Sequence, residues 1–514
     1  MDLDKRKNYL GRLALTLISL FLLAVFALSF KFEYSQIWPD KYVYWYVMLM
    51  CCAGVSFIFY IDRLDNSERK SPSLRIIFIC GLSARLLFVP SEPILEDDFY
   101  RYFFDGSVVV HGHNPYRISP NEVQGIPSIT DALSNRKLDF NGQAKYTDQG
   151  KPSLAYLKQE PLFERVAYPH VQSIYPPVAQ FFFSLTSIIS SFDIYIWRLI
   201  LLAAELVTFW LLLKLLVLYR RPKFLIALYW LNPIVIIQGI NSAHMDLLLV
   251  PFILSALYCL HKAKYKYSAT LLALAVGIKL WPIVLAPIAA YQVYTRKKPS
   301  KKALVHFTMT FVGLTGMIIL PQIIAFNYFS GLHQYSQFWQ VNAFVFSVIE
   351  SCLEYILYDA NLSWFEDLNQ MAKILTMVMF SLFVIYVTKP NRMVVKPRIA
   401  NKSTCEVPFF CVGYQWLWVI FVLFILSPTG YPWYSIWFFP LLVLHFRVET
   451  RAMILLTATL PLYNLRYPEP SEAIFNSIIV PLTFAPVLVV LIWQQFKKHN
   501  KGVAAKQRIK INSL

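Results

Sequence analysis

The chain has 514 residues, 57% hydrophobic and only 15% charged, with a mean hydropathy of +0.48. Soluble domains are about 45–50% apolar and about 25% charged, so the composition excludes a string of soluble domains and indicates an all-α polytopic membrane protein in a lipid bilayer. The net charge of +18 sits in short basic runs between apolar segments, where it acts as an orientation signal, so no nucleic-acid partner is expected. The seven cysteines, including Cys51 and Cys52, show neither paired nor metal-ligand spacing.

In chain order, the first apolar run, residues 11–30, follows Lys5, Arg6, Lys7 and Arg12 and is long enough to span. No small-residue cleavage site follows it, so it reads as an anchor with a cytoplasmic amino terminus. Runs at 43–61 and 76–90 flank Arg63, Arg69, Lys70 and Arg75, which places the polar segment 91–173 outside. That segment is the one place large enough for a soluble subdomain. In the middle, the basic points 219–223, 261–266 and 296–302 all read as cytoplasmic, which full spans between them do not satisfy. The apolar stretches 224–260 and 267–294 are each interrupted, by Asn232-Pro233 and the run 241–246, and by the run 277–282. Each is expected to rise partway, break and return, and a broken helix in a bilayer survives only where its freed backbone faces protein or water, so the breaks predict a cavity.

Further runs at 303–326, 367–388, 407–426, 435–446, 451–465 and 473–493 alternate with basic connections, leaving 327–342, 427–435 and 466–473 outside. The count is about 11–13 membrane helices, several of them short, with 174–190 fitting either as a span or as a partial one. The organisation expected is two amino-terminal transmembrane helices in 1–75, a catalytic module in 76–326, carboxy-terminal helices in 327–496 and a basic cytoplasmic tail in 497–514.

The sharpest chemistry lies in residues 95–120. A helix over 97–111 puts Asp98, Arg101, Tyr102 and Asp105 on one face. Glu96, Asp97 and Asp98 place three carboxylates at one membrane exit, where repulsion and desolvation raise at least one pKa. That suits a general base. Relief of the repulsion by a divalent cation, Mg or Mn, held by Glu96 and Asp98 is the alternative, and a solvated acidic helix cap is the bland one. Lys279 interrupts an apolar stretch, as do His244 and Asp246, and ionisable groups at membrane depth are functional candidates. Lys279 suits an anionic phosphate, or else pairs with Asp246. Arg85 and Arg198 read as structural anchors. The turn before Pro176-Pro177 either delivers His170 and Tyr175 to the carboxylates or is a rigid helix start. For Tyr335, Trp339, Tyr431, Trp433 and Tyr434 an interfacial belt is favoured over stacking on sugars.

The order of EDDFYRYFFDG, HGHNPY, SIYPPVAQ, LNPIVIIQGINSAHMD, GIKLWP and SPTGYPWYSIW resembles the bacterial, mannosyltransferase-like branch of the GT-C glycosyltransferases, which use polyprenyl-phosphate-linked sugars. The resemblance covers about residues 90–440. It implies a GT-C-like bundle with a long catalytic first outer loop carrying juxtamembrane helices. The implied reaction transfers a hexose, most commonly mannose, from a polyprenyl-phosphate donor to a hydroxyl of a glycan or glycolipid acceptor, on the outer side of a bacterial inner membrane. The family's catalytic carboxylate precedes an aromatic by four positions and the glycine of a Gly-x-x-Pro-Tyr-like element by fourteen; Asp98, Tyr102 and Gly112 match, so Asp98 inherits the role, with Asp97 and Glu96 beside it. Arg101, Tyr102, Asp105, Asn114, Tyr116, His170, Tyr175, His244, Asp246, Lys279 and Trp433 are the candidates for binding substrate or phosphate, and Lys279, Arg101 or Arg466 would supply the positive charge that the leaving lipid phosphate needs. The sequence departs from the pattern at Phe104, where relatives often carry Trp, and at Tyr431, where they often carry His. The alternatives are a flippase or transporter for lipid-linked saccharides, for which the chain lacks the internal repeats, and an inactive subunit of a cell-envelope machine.

Overall fold

The computed structural model of the chain describes residues 3–33, 39–65, 73–124, 157, 162–295, 300–326, 330–359, 367–388, 409–468 and 471–511. All regular secondary structure among these residues is helical, and one isolated bridge joins Val341 to Thr429. The protein is an all-α, multi-pass membrane protein. Six helices are long and apolar enough to cross a bilayer: Tyr9–Ser29, Asp40–Leu64, Ile194–Leu218, Lys301–Ile324, Leu368–Thr388 and Glu472–Gln494. A seventh is counted if the bent pair Lys223–Trp230 and Pro233–Asn241 is one span. The expectation of about 11–13 helices is therefore reached only by adding shorter apolar pieces.

The shortening has local causes. Pro177–Ile189 has 13 residues and rises about 20 Å, against about 30 Å of hydrocarbon, so the ambiguous stretch 174–190 is too short to span alone. Asn232 ends one short helix and caps the next, its side chain accepting from the Ile234 N–H, and Pro233 supplies the first turn; the axis bends there by 54°. A π turn, Ile237–Asn241, follows before the chain enters the long helix Asp246–His261. The second expected break is equally plain: Tyr265–Ile278 stops at Lys279, whose φ and ψ of −149° and 140° are extended, and the chain resumes as a 3₁₀ turn, Trp281–Leu285, and the helix Ala286–Tyr294. The apolar runs at 435–446 and 451–465 are likewise chains of short turns, Pro432–Trp437 with Phe439–Leu444, and Arg451–Leu455 through Leu460–Arg466. Two helices were not foreseen, Gly331–Phe338 and Phe344–Asp359. In the long polar segment the described part holds Asp98–Val110 and Pro120–Gln124, while 125–156 and 158–161, where a soluble subdomain was expected, lie outside the described residues.

Two contacts fix the frame around the site. Arg85 and Glu205 form a fully buried ion pair at 2.5 Å between Leu74–Phe88 and Ile194–Leu218. The Arg85 guanidinium also lies 3.8 Å from the centre of the Trp230 ring and donates to the Trp230 carbonyl, while the Tyr229 hydroxyl donates to Glu205. The anchor reading of Arg85 holds, with every partner inside the bundle. Helix Asp98–Val110 packs backbone to backbone on Pro177–Ile189 at Gly106, where an added Cβ would lie 2.3 Å from the Phe183 carbonyl oxygen.

Candidate active site

The start of helix Asp246–His261, the break at Lys279, the start of Asp98–Val110 and the turn Pro432–Trp437 converge on a cavity of about 520 Å³. Glu96, Asp97 and Asp98 all line it. Asp98 is the first residue of its helix, and its side chain keeps 29% exposure, although protein encloses the cavity around it. Desolvation, then the Asp97 charge, push its pKa up to about 7 against the opposing pull of Lys279. Glu96 is driven well above the usual carboxylate range by burial and by Asp98 and Asp97, and Asp97 is raised by burial. The three carboxylates thus line one cavity, with Glu96 the most buried and Asp97 exposed at its rim.

His244, fully buried, stands between the acids. Its Nε2 lies 3.4 Å from Glu96 Oε2 and its Nδ1 3.8 Å from Asp98 Oδ2. The imidazole stacks on Trp433 at 3.8 Å and 19°, and Tyr431 stacks on Trp433 at 4.3 Å and 12°. Across the cavity, Lys279 Nζ is 2.7 Å from Asp246 Oδ1, the oxygen that also accepts from Trp437 Nε1. The ammonium sits over the rings of Tyr434 and Trp437, 4.3 and 4.9 Å from their centres. Lys279 pairs with Asp246, as one of the sequence alternatives expects, and it also lines the cavity.

Tyr102 and Tyr175 line the cavity with their rings 5.2 Å apart, and Tyr102 stacks on Phe183. Arg101 lines it too, held at 2.9 Å by Asp105 one turn on. Asp105 itself is fully buried behind the wall, where Ser173 and Gln180 donate to its second oxygen, so it orients Arg101 instead of facing a ligand. Three other candidates are not brought in. His170 is exposed and does not line the cavity, because the turn that carries it points it outward while bringing Tyr175 inward. Asn114 accepts from the Tyr116 N–H, and the Tyr116 hydroxyl donates to the Tyr175 carbonyl, so both build the support behind Tyr175.

The belt reading of the outer aromatics is corrected: Tyr335, Trp339, Tyr431, Trp433 and Tyr434 all line the cavity. Their inward turn follows from the 3₁₀ turn Pro432–Trp437 and from the bridge Val341–Thr429, which ties the connection at 330–342 to that at 427–435. Tyr463, Arg466 and Tyr467 also line the cavity, and Arg466 donates to the Tyr463 hydroxyl at 2.9 Å. Among the described residues Arg466 is the cavity cation with no carboxylate at ion-pair distance, whereas Arg101 and Lys279 each have one. Arg466 is thus placed where the resemblance expected a cation for the leaving phosphate, whereas Tyr463 and Tyr467, at i−3 and i+1 from it, were not foreseen. Trp437 and Trp281 were also missed, being hidden in apolar runs. Among the described residues no group of three or more His, Cys, Asp or Glu side chains is arranged to hold a metal ion.

Chemically, the cavity offers a carboxylate able to accept a proton near neutrality, cations beside it, and aromatic walls. No curated protein and no solved structure matches the chain. The segment that supplies Tyr175, His244, Asp246 and Lys279, residues 167–295, matches the family model of the alpha-(1->6)-mannopyranosyltransferase N-terminal domain, a GT-C family of mannosyltransferases and so of glycosyltransferases.

Proposed function

We propose that the protein transfers mannose from a polyprenyl-phosphate-linked donor to a hydroxyl of a glycan or glycolipid acceptor, with inversion at the anomeric carbon. The observation that carries this reading is Asp98: an enclosed carboxylate with a pKa of about 7, among cavity cations, next to a segment matching a mannosyltransferase family. In the reaction, the acceptor oxygen attacks the anomeric carbon as the bond from that carbon to the lipid phosphate oxygen breaks. Asp98 takes the acceptor proton, and the phosphate leaves with the electron pair. Arg466 and Lys279 supply the positive charge that the leaving phosphate needs. A single carboxylate acting as base, with no covalent intermediate, inverts the centre. A divalent cation at Glu96 and Asp98 is the remaining option for charge relief, and a chelator tests it.

Sidedness follows from the basic connections. Helix Asp246–His261 starts at the cavity and ends about 24 Å away, beside Lys262 and Lys264. At that far end Arg221 donates to the Phe446 carbonyl and the Tyr219 ring meets His445, so three basic connections gather there. Positive charge favours the cytoplasmic side, which supports a cavity that opens to the outer face.

The test is transfer from radiolabelled polyprenyl-phosphate sugars by purified wild type and Asp98→Asn, with and without chelator. Wild type should release lipid phosphate and label the acceptor from the mannose donor, and Asp98→Asn should lose at least about 10²-fold in kcat. Donor binding without turnover by wild type would overturn the reading in favour of a flippase or an inactive subunit.

A further inference from the structure

Behind the cavity wall, Asn241 ends the π turn and is fully buried. Its Nδ2 donates to Ser91 Oγ at 2.8 Å and to the Glu92 carbonyl at 2.7 Å, and its Oδ1 accepts from the Ile94 N–H at 3.1 Å. All three partners lie on the connection that runs from Leu74–Phe88 to Asp98. The Asn241 carbonyl accepts from Arg198, whose other amino group donates to the carbonyls of Val89 and Ser91 at 2.8 and 2.7 Å. The neighbouring Trp197 donates from Nε1 to the Ala243 carbonyl at 2.8 Å. Two consecutive residues of Ile194–Leu218 and one asparagine thus hold both the acid-bearing connection and the turn that carries His244 and Asp246. The hold has something to resist: Leu95 and Ala243 have φ of +58° and +56°. Each leads into a functional residue, and such left-handed conformations in residues with a Cβ persist only where the surroundings over-determine them.

We propose that Asn241 is a positioning residue for the transfer reaction, its amide setting the distance between the Asp98 carboxylate and the His244–Asp246 side of the cavity. The inference rests on the glycosyltransferase reading above. Only a side chain that donates twice and accepts once from a single short stem satisfies all three partners, which leucine, of similar size, does not. A base displaced by about 1 Å costs about 10²-fold in rate, while Arg466 and Tyr463 sit on the separate turn Leu460–Arg466, which meets the connection through the Tyr467 hydroxyl on the Leu95 carbonyl, so donor contacts there shift less than the base.

The experiment uses full-length wild type, Asn241→Leu and Ser91→Ala in detergent, with rates normalised to monodisperse folded protein, and polyprenyl-phosphate mannose as the donor. Asn241→Leu should lose about tenfold or more in kcat with the donor KM within about twofold of wild type. Ser91→Ala, which removes one of the three bonds, should fall between. Wild-type kcat in Asn241→Leu overturns the proposal, and so does a rise in donor KM that accounts for the lost rate. If Asn241→Leu yields no folded protein, Ser91→Ala decides, and an unchanged kcat there overturns it. A wild type that turns over no donor fails the transferase reading first, and is told apart because it needs no variant.

Discussion

At the scale of single residues, the pH response of Asp98 separates the base role from a merely acidic cap. A base must be deprotonated to act, and burial with the neighbouring Asp97 charge has raised this carboxylate to about 7. The rate at saturating donor should therefore be full above that value and fall as the pH drops through it, about tenfold per unit below. An ordinary aspartate would keep its activity down to about pH 4. A pH–rate profile between about 5 and about 9 reads the difference directly, and a rate that stays flat down to the acid end of that range would remove Asp98 from the role. The sign is opposite to that of a general acid, whose activity would fall as the pH rises through the same value.

At the scale of elements, the close approach of two helices at Gly106 sets where Asp98 stands. Gly106→Val would push a branched side chain against the Phe183 carbonyl and Ser187, separating Asp98–Val110 from Pro177–Ile189. Backbone blocks this substitution, so relief by a rotamer change is closed, and a loss of about 1–3 kcal/mol or more is expected, read as a lower thermal midpoint and reduced transfer together. A variant with unchanged midpoint would mean that the helices are free to part. Here the sequence was informative in an uneven way. Helix Asp98–Val110, the breaks at Asn232-Pro233 and Lys279, and the convergence of Asp98, His244, Asp246 and Lys279 were legible, because prolines, caps and stray charges are local signals. The pieces that misled depend on tertiary packing. Tyr431, Trp433 and Tyr434 read as a belt because nothing in an aromatic residue tells which way a 3₁₀ turn faces, and Asp105 read as a cavity acid because its partners, Ser173 and Gln180, lie far along the chain. His170 and Tyr175 are five residues apart, and only the fold sends one outward and the other in.

For the whole molecule, the question is which side of the membrane the cavity opens to, since that decides which leaflet would supply the proposed lipid-linked donor. His170 is exposed near the cavity end, and Lys262 is exposed at the far end of Asp246–His261. Single cysteines at these two positions, in a background with all seven native cysteines replaced by serine, report the two ends without touching the cavity lining. With a membrane-impermeant maleimide on intact cells made permeable only in the outer envelope, His170→Cys should label and Lys262→Cys should stay dark until the inner membrane is opened. Labelling in the reverse order would turn the cavity toward the cytoplasm. The positive-inside assignment of the connections at 219–223, 261–266 and 447–451 would then be wrong as a set, because the contacts of Arg221 with Phe446, of Tyr219 with His445 and of Tyr219 with His261 tie them to one end. The transferase chemistry would survive that result, since Asp98 and its neighbours are fixed by the fold. Its donor, however, would have to come from the inner leaflet, and its product would have to be moved across the membrane by another protein.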